Sequence, residues 1–202
     1  PSLFIFLLLG TILTIIVQSS SATVAITLIM CTQGWIPFEM AAAMVLGENI
    51  GTTITANIAA ISANVSARRA AVAHLMFNVF GVCWVMILFY PFTSMVSWIV
   101  TNYGPGDPNE MTQFLSTLDP KTISLITSSA QITDPHLLAL QKQLMTLQVS
   151  VSYGLSLFHT IFNIANVCIM IWFVKFYVYV CSALIKPKNV SDEEEFQLKY
   201  IP

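Results

Sequence analysis

The chain has 202 residues, 56% of them hydrophobic and 9% charged, with a formal net charge of -2. Soluble domains carry roughly 25% charged residues, so this composition excludes a water-soluble globule and marks an integral membrane protein. There is no basic stripe of the kind a polyanion requires, which leaves no nucleic-acid partner. Cys31, Cys83, Cys168 and Cys181 stand singly in apolar runs. Without CxxC or paired spacing they read as buried small hydrophobes, not as a metal site or a disulfide framework.

The run from Leu3 to Val17 is almost wholly apolar. It reaches about 22 Å, short of the ~30 Å hydrocarbon core of a bilayer. Gln18-Ser19-Ser20-Ser21 interrupts it, and Ala22 to Cys31 forms a second short arm. Residues 1–34 are therefore predicted to form a re-entrant hairpin with its tip at Gln18 to Ser21. A single kinked spanning helix is the alternative. Gln33-Gly34-Trp35-Ile36-Pro37 reads as an interfacial turn, with Gly34 ending one helix, Pro37 opening the next and Trp35 at headgroup level.

Residues 35–66 read as a discontinuous transmembrane helix. Met40 to Leu46 and Ile54 to Ile61 are apolar, and Gly47-Glu48-Asn49-Ile50-Gly51-Thr52-Thr53 breaks them. Irregular backbone survives at membrane depth only beside protein or a cavity, so two such breaks imply one inward-facing site.

Arg68-Arg69 is the only adjacent basic pair, and the positive-inside rule places it in the cytoplasm. Residues 67–100 then form a transmembrane helix and its extracellular end. Residues 101–135, rich in Gly, Pro and Asp, form an extracellular loop with a short amphipathic helix at Met111 to Leu118. Residues 136–186 are predicted to be one long tilted helix followed by an interfacial helix bearing Trp172, Phe176, Tyr177 and Tyr179. Residues 187–202, with Lys186 and Lys188 at their start, make a cytoplasmic tail. The expected protein is multi-pass, in the inner or plasma membrane. Because it opens on Pro1 and ends in an acidic segment after Ser191, it is expected to be a piece of a longer chain.

At the first break three hydroxyls and an amide lie between two half-helices. The N–H groups and positive end of the second half-helix suit an anion, and serine hydroxyls both donate to and accept from hydrogen phosphate. No Lys or Arg is near either break, so a cation must share the site if a divalent anion is to enter low dielectric. At the second break Gly47 and Gly51 permit unwinding. Freed carbonyls, with Asn49, Thr52 and Thr53, would be hard ligands for Na⁺. Thr52 and Thr53 equally suit a cap or the anion. Glu48 has three readings: a cation ligand, a proton carrier, or the lining of a watery approach. A nucleophilic serine needs a base in reach, and nothing places one beside Ser19 to Ser21, so an enzyme is not expected. His74-Leu75-Met76-Phe77-Asn78 is echoed by His159-Thr160-Ile161-Phe162-Asn163. His74, Asn78, His159 and Asn163 read as helix-packing or supporting residues, with a ligand or proton-relay role as the alternative.

Gln18-Ser19-Ser20-Ser21-Ala22, then Leu46 to Ala56, Ala67-Arg68-Arg69-Ala70-Ala71 and His74 to Asn78, closely resemble the type II sodium/phosphate cotransporters and their bacterial relatives. The likeness is strong over roughly residues 10 to 80. It implies an all-helical membrane fold of inverted repeats, each with a hairpin and a broken helix. It also implies symport of Na⁺ with inorganic phosphate, with no cofactor beyond the coupling ion. Carried onto this chain, Ser19, Ser20 and Ser21, with Thr52 and Thr53, become candidate phosphate ligands. Gln18, Glu48, Asn49 and Thr52 become candidates for Na⁺. The family has two Gln-Ser-Ser-Ser motifs and this chain has one, in an order resembling the second repeat. The missing half is then another repeat of the same transporter or a second copy in a homodimer. A PhoU-like cytoplasmic domain would follow. The alternative function is a membrane phosphate or oxyanion sensor, or an assembly subunit, without transport.

Overall fold

A computed structural model describes residues 2–128 and 132–187. The tail from Lys188 onward, including Ser191 to Glu195, lies outside the described residues. Those that are described are helical throughout, with no strand.

The third helix, α3 (Phe38–Ala59), is the centre of the fold. Pro37 holds an extended conformation just before it, Glu39 sits in its first turn beside the positive end of the dipole, and Ala41 to Ala43 favour propagation. Every residue from Ala41 to Glu48 is buried. Two short helices flank it, α1 (Ser2–Val17) and α2 (Ser20–Thr32). Leu7 lies against Gly47 and Thr14 against Gly51, so α1 runs parallel to α3. After the turn at residues 33–37 the chain reverses, and Thr27 of α2 meets Glu48 of α3. The two arms therefore form a helical hairpin that straddles α3, with its tip at Gln18 and Ser19.

The α1–α3 contact is backbone against backbone. A Cβ on Gly47 would lie 1.9 Å from the Leu7 carbonyl oxygen, and one on Gly10 would lie 2.1 Å from that of Met44. Thr11 Oγ1 crosses the same seam to donate to the Gly47 carbonyl at 3.0 Å. The expected discontinuity at Gly47 to Thr53 is thereby corrected: α3 is unbroken. Gly47 and Gly51, four residues apart, are a close-approach seam of the kind that lets membrane helices touch. Thr52 and Thr53 return their hydroxyls to the helix's own carbonyls, of Glu48 at 2.8 Å and Ile50 at 2.7 Å.

A 3-10 turn at Ala60–Ser62 leads to α4 (Val65–Ile87), which Asn64 caps by accepting from the Ala67 N–H at 2.9 Å. Leu88 leaves helical geometry and α5 (Phe89–Tyr103) follows; Pro91 falls in its first turn, where a missing N–H costs nothing. The connecting segment holds two short helices, α6 (Glu110–Ser116) and α7 (Pro120–Thr127). Sequence reading anticipated only the first of them. Asp119 caps α7, and the Thr122 hydroxyl and N–H hold its carboxyl below the usual carboxylate range.

The 36-residue α8 (Pro135–Met170) opens on an Asp134 cap. It then passes through a 3-10 turn, Ile171–Phe173, into α9 (Val174–Leu184). This pair runs antiparallel to α4, as Trp84 meets Phe162, Phe80 meets Phe173 and Arg69 reaches Ile185. Phe92 and Phe158 stack edge-on at 5.3 Å and lock α5 to α8. Two stretches, Val65–Ile87 and Pro135–Leu184, are long and apolar enough to cross a membrane. Large apolar side chains such as Ile16, Ile87 and Trp172 face outward, as in a protein whose solvent is lipid.

Candidate functional site

The hairpin tip is made by one residue in an unusual conformation. Gln18 has φ of 56°, in the left-handed region, which reverses the chain after α1. Ser19 is extended and N-caps α2, its Oγ accepting from the Ala22 N–H at 3.4 Å. The Ser19 and Ser21 hydroxyls lie 3.3 Å apart. Gln18 and Ser21 are exposed while Ser19 and Ser20 are half-buried. The first N–H groups of α2 therefore open onto a hydroxyl-lined surface at the positive end of its dipole. That arrangement presents hydrogen-bond donors without a formal charge.

One turn before the tip, Thr14 packs on Gly51. Since α1 and α3 are parallel, Gln18 comes about 6 Å farther along the axis, level with the C-terminal half of α3. That level is Thr55, one turn beyond Thr52; the hydroxyls of Thr52 and Thr53 donate their hydrogens within α3 and keep their oxygen lone pairs. The carbonyl ligands expected from an unwound backbone are absent, because α3 never unwinds.

Buried polarity sits instead on the α2-facing side of α3. Glu48 is 1% exposed. Its Oε1 accepts from Thr27 Oγ1 at 2.6 Å, while Oε2 has no partner. Asn49 Nδ2 is also buried without a partner. Burying an unsatisfied polar atom costs of order 1–3 kcal/mol, and more for a charged group, so such atoms call for a ligand or an ion. A small cavity of about 180 Å³ lies between Val24 and Leu28 of α2, Val45 of α3 and His159 of α8, and neither Glu48 nor Asn49 lines it.

The echoed His and Asn motifs behave alike. Asn78 Nδ2 bonds the His74 carbonyl at 3.1 Å and Asn163 Nδ2 bonds that of His159 at 2.8 Å, each within its own helix. The amide that joins helices is Asn166, which sequence reading passed over. It accepts from Trp84 Nε1 at 3.2 Å and donates to the Phe77 carbonyl at 3.1 Å. Its signals were a place one turn beyond Asn163 and a glycine, Gly81, one turn beyond Asn78. A Cβ on Gly81 would strike the Asn166 amide at 2.4 Å. Asn57 makes a similar crossing, from α3 to the Ala71 carbonyl at 2.8 Å.

The family profile described as Na+/Pi-cotransporter matches residues 2–101, which contain the hairpin, α3, α4 and most of α5. Over these residues, about half of its length, the chain belongs to that family. It is 38% identical over 108 residues to the uncharacterized protein YqeW of Bacillus subtilis, covering 54% of this chain and 34% of that protein. It is 32% identical over 89 residues to the putative inorganic phosphate export protein YjbB of Salmonella typhimurium, covering 44% of this chain and 16% of that one. It is 37% identical over 92 residues to human sodium-dependent phosphate transport protein 2B, covering 44% of this chain and 13% of that one. In each case the match spans about a third or less of the relative's length. No solved structure matches the chain.

Proposed function

We propose that this chain is one repeat of a secondary active transporter that couples Na⁺ to the movement of inorganic phosphate. The observation that carries the reading is the hydroxyl-lined tip at the end of two arms of 16 and 13 residues. Both arms are too short to cross a bilayer, since about 20 residues are needed. The hairpin is thus read as re-entrant, with its tip near the midplane. Ser19, Ser20 and Ser21 donate to phosphate at the N-terminus of α2. Glu48, whose Oε2 is unpartnered, supplies the charge for Na⁺ and the Oδ1 of Asn49 a dipole, with Gln18 and Thr52 as further ligands.

One exposed tip encloses phosphate on one side only. A second tip completes the site, from another repeat of the same transporter or from a second copy of this chain. Arg68 and Arg69 are assigned to the cytoplasmic side by the positive-inside rule, and a PhoU-like domain would extend from that side. The names of the relatives include both sodium-dependent transport and export. A coupled carrier runs in whichever direction the summed gradients dictate, so one site serves either.

The test is radiolabelled phosphate uptake into proteoliposomes, with an inward Na⁺ gradient or with choline in its place. The expected result is uptake that vanishes in choline and falls in Ser20→Ala. Equal uptake in choline would remove the coupling. Phosphate binding without flux, in vesicles that also contain a second repeat, would turn the reading to a sensor or assembly subunit.

A further inference from the structure

A cavity lined by no hairpin residue lies between α4 and α9. It measures about 560 Å³, within the size range of small-ligand sites, and is walled by Ala73, Phe77, Val174, Tyr177 and Val178. Arg69 and Ser182 line it toward the Ile185 end, and His74 lies farther along the α4 wall. A second cavity of about 470 Å³, wholly apolar, adjoins it between Met76 and Phe80 of α4, Phe173 of the 3-10 turn and Phe176 of α9. Tyr177 belongs to both walls. The 3-10 turn at Ile171–Phe173, which joins α8 to α9, contributes Phe173 to the second wall.

Its dimensions and charges identify an occupant. From Arg69 to Phe80 the groove follows α4 for about 16 Å, close to one leaflet's half of the ~30 Å hydrocarbon core. Arg69 Nε donates to the Ile185 carbonyl at 3.0 Å, which fixes the guanidinium across the end of α9. A guanidinium has five N–H donors in a fork that matches a phosphate, so four remain. Arg68 lines a small cavity against the same Ile185, and Lys186 is the next residue. Neither α4 nor α9 contains an Asp or Glu. Lys175 lines neither cavity, and its long stem allows its charge to reach back toward the headgroup layer.

We propose that the α4–α9 groove seats an anionic phospholipid, with its phosphate on Arg69 and an acyl chain laid along Phe77, Tyr177 and Phe80. The inference rests on the membrane reading of these helices and not on phosphate transport.

The experiment is native mass spectrometry of the purified full chain, titrated with phosphatidylglycerol or phosphatidylcholine. Phosphatidylglycerol binds preferentially. Arg69→Gln lowers that preference about fivefold, the effect of one basic residue at an anionic surface. Because Arg69 also holds α9, Val178→Trp serves as a second variant. Val178 is an exposed wall residue, and the indole obstructs the groove, so both lipids bind less while the fold is kept. Inorganic phosphate at millimolar concentration leaves the bound lipid in place. Equal binding of the two lipids, unchanged binding in Val178→Trp, displacement by inorganic phosphate, or a dimer that closes the groove to lipid would each overturn the proposal. None of these outcomes depends on whether the chain moves phosphate.

Discussion

The hairpin tip and the middle of α3 are both built of small polar residues, yet they treat the backbone in opposite ways. At Gln18 to Ser21 the helix stops, one residue turns left-handed, and hydroxyls and N–H groups are left open. At Gly47 to Thr53 the helix runs through, and every threonine hydroxyl is spent inside it. The difference is the partner. Gly47 and Gly51 face the backbone of α1, which leaves no room to unwind. Among the described residues the tip stays open, with Gln18 and Ser21 exposed and Ser19 and Ser20 half-buried. Small polar residues thus make a seam where another helix is pressed on them and a binding surface where nothing is.

The most forceful way to break this comparison is to put a side chain into the seam. Gly47→Leu aims a branched group at the Leu7 carbonyl, an obstacle of backbone that cannot rotate away. Overpacking commonly costs about 1–3 kcal/mol, and this case should exceed that range. We expect loss of the monodisperse species on size-exclusion chromatography, with Gly47→Ala intermediate. A well-folded Gly47→Leu protein would mean that α1 is free to leave α3.

That contrast also explains what was legible in the sequence. The Gln18 break could be read because a polar Gln-Ser-Ser-Ser run interrupts two apolar arms that are each too short to span. The all-helical membrane class followed from composition, and the two long apolar stretches from hydropathy. The state of Gly47 to Thr53 was not legible. The same GxxxG spacing permits either an unwound loop or a tight seam, and only the position of α1 chooses between them. Asn166 was missed for a related reason. An asparagine in an apolar run announces that it needs a partner without saying which helix supplies one.

The second prediction concerns the buried carboxyl beside the seam. Glu48→Gln keeps the size and an oxygen for Thr27 but removes the charge available to a cation. We expect a folded protein whose apparent Na⁺ affinity falls by roughly 10- to 150-fold, the equivalent of the 1.5–3 kcal/mol typical of a charged partner. The check is the Na⁺ dependence of uptake at fixed phosphate. Unchanged Na⁺ affinity would leave Glu48 as a buried packing residue.

At the tip, smaller effects separate capping from binding. Ser19→Ala removes the α2 cap and should cost about 1 kcal/mol, whereas Ser19→Gly costs only a few tenths. Both variants lose the hydroxyl. Thermal melts should therefore distinguish them while the phosphate KM rises in both. If KM follows stability instead, Ser19 contributes structure alone.

The smallest effect is expected at Gln18 and isolates the left-handed turn itself. A non-glycine residue at φ of 56° carries a strain of roughly 1–2 kcal/mol. Gln18→Gly relieves it and gives back part of the gain in chain entropy, for a net stabilisation of up to about 1 kcal/mol. Gln18→Asn keeps an amide and tolerates the same conformation, and Gln18→Val tolerates neither. If the tip is a binding surface, stability and transport must part here. The glycine variant melts higher but transports less, and asparagine recovers part of the transport. If transport rises with stability in the glycine variant, the amide contributes nothing. Gln18 then serves only to turn the chain, and the cation must be held from the α3 side by Glu48 and Asn49.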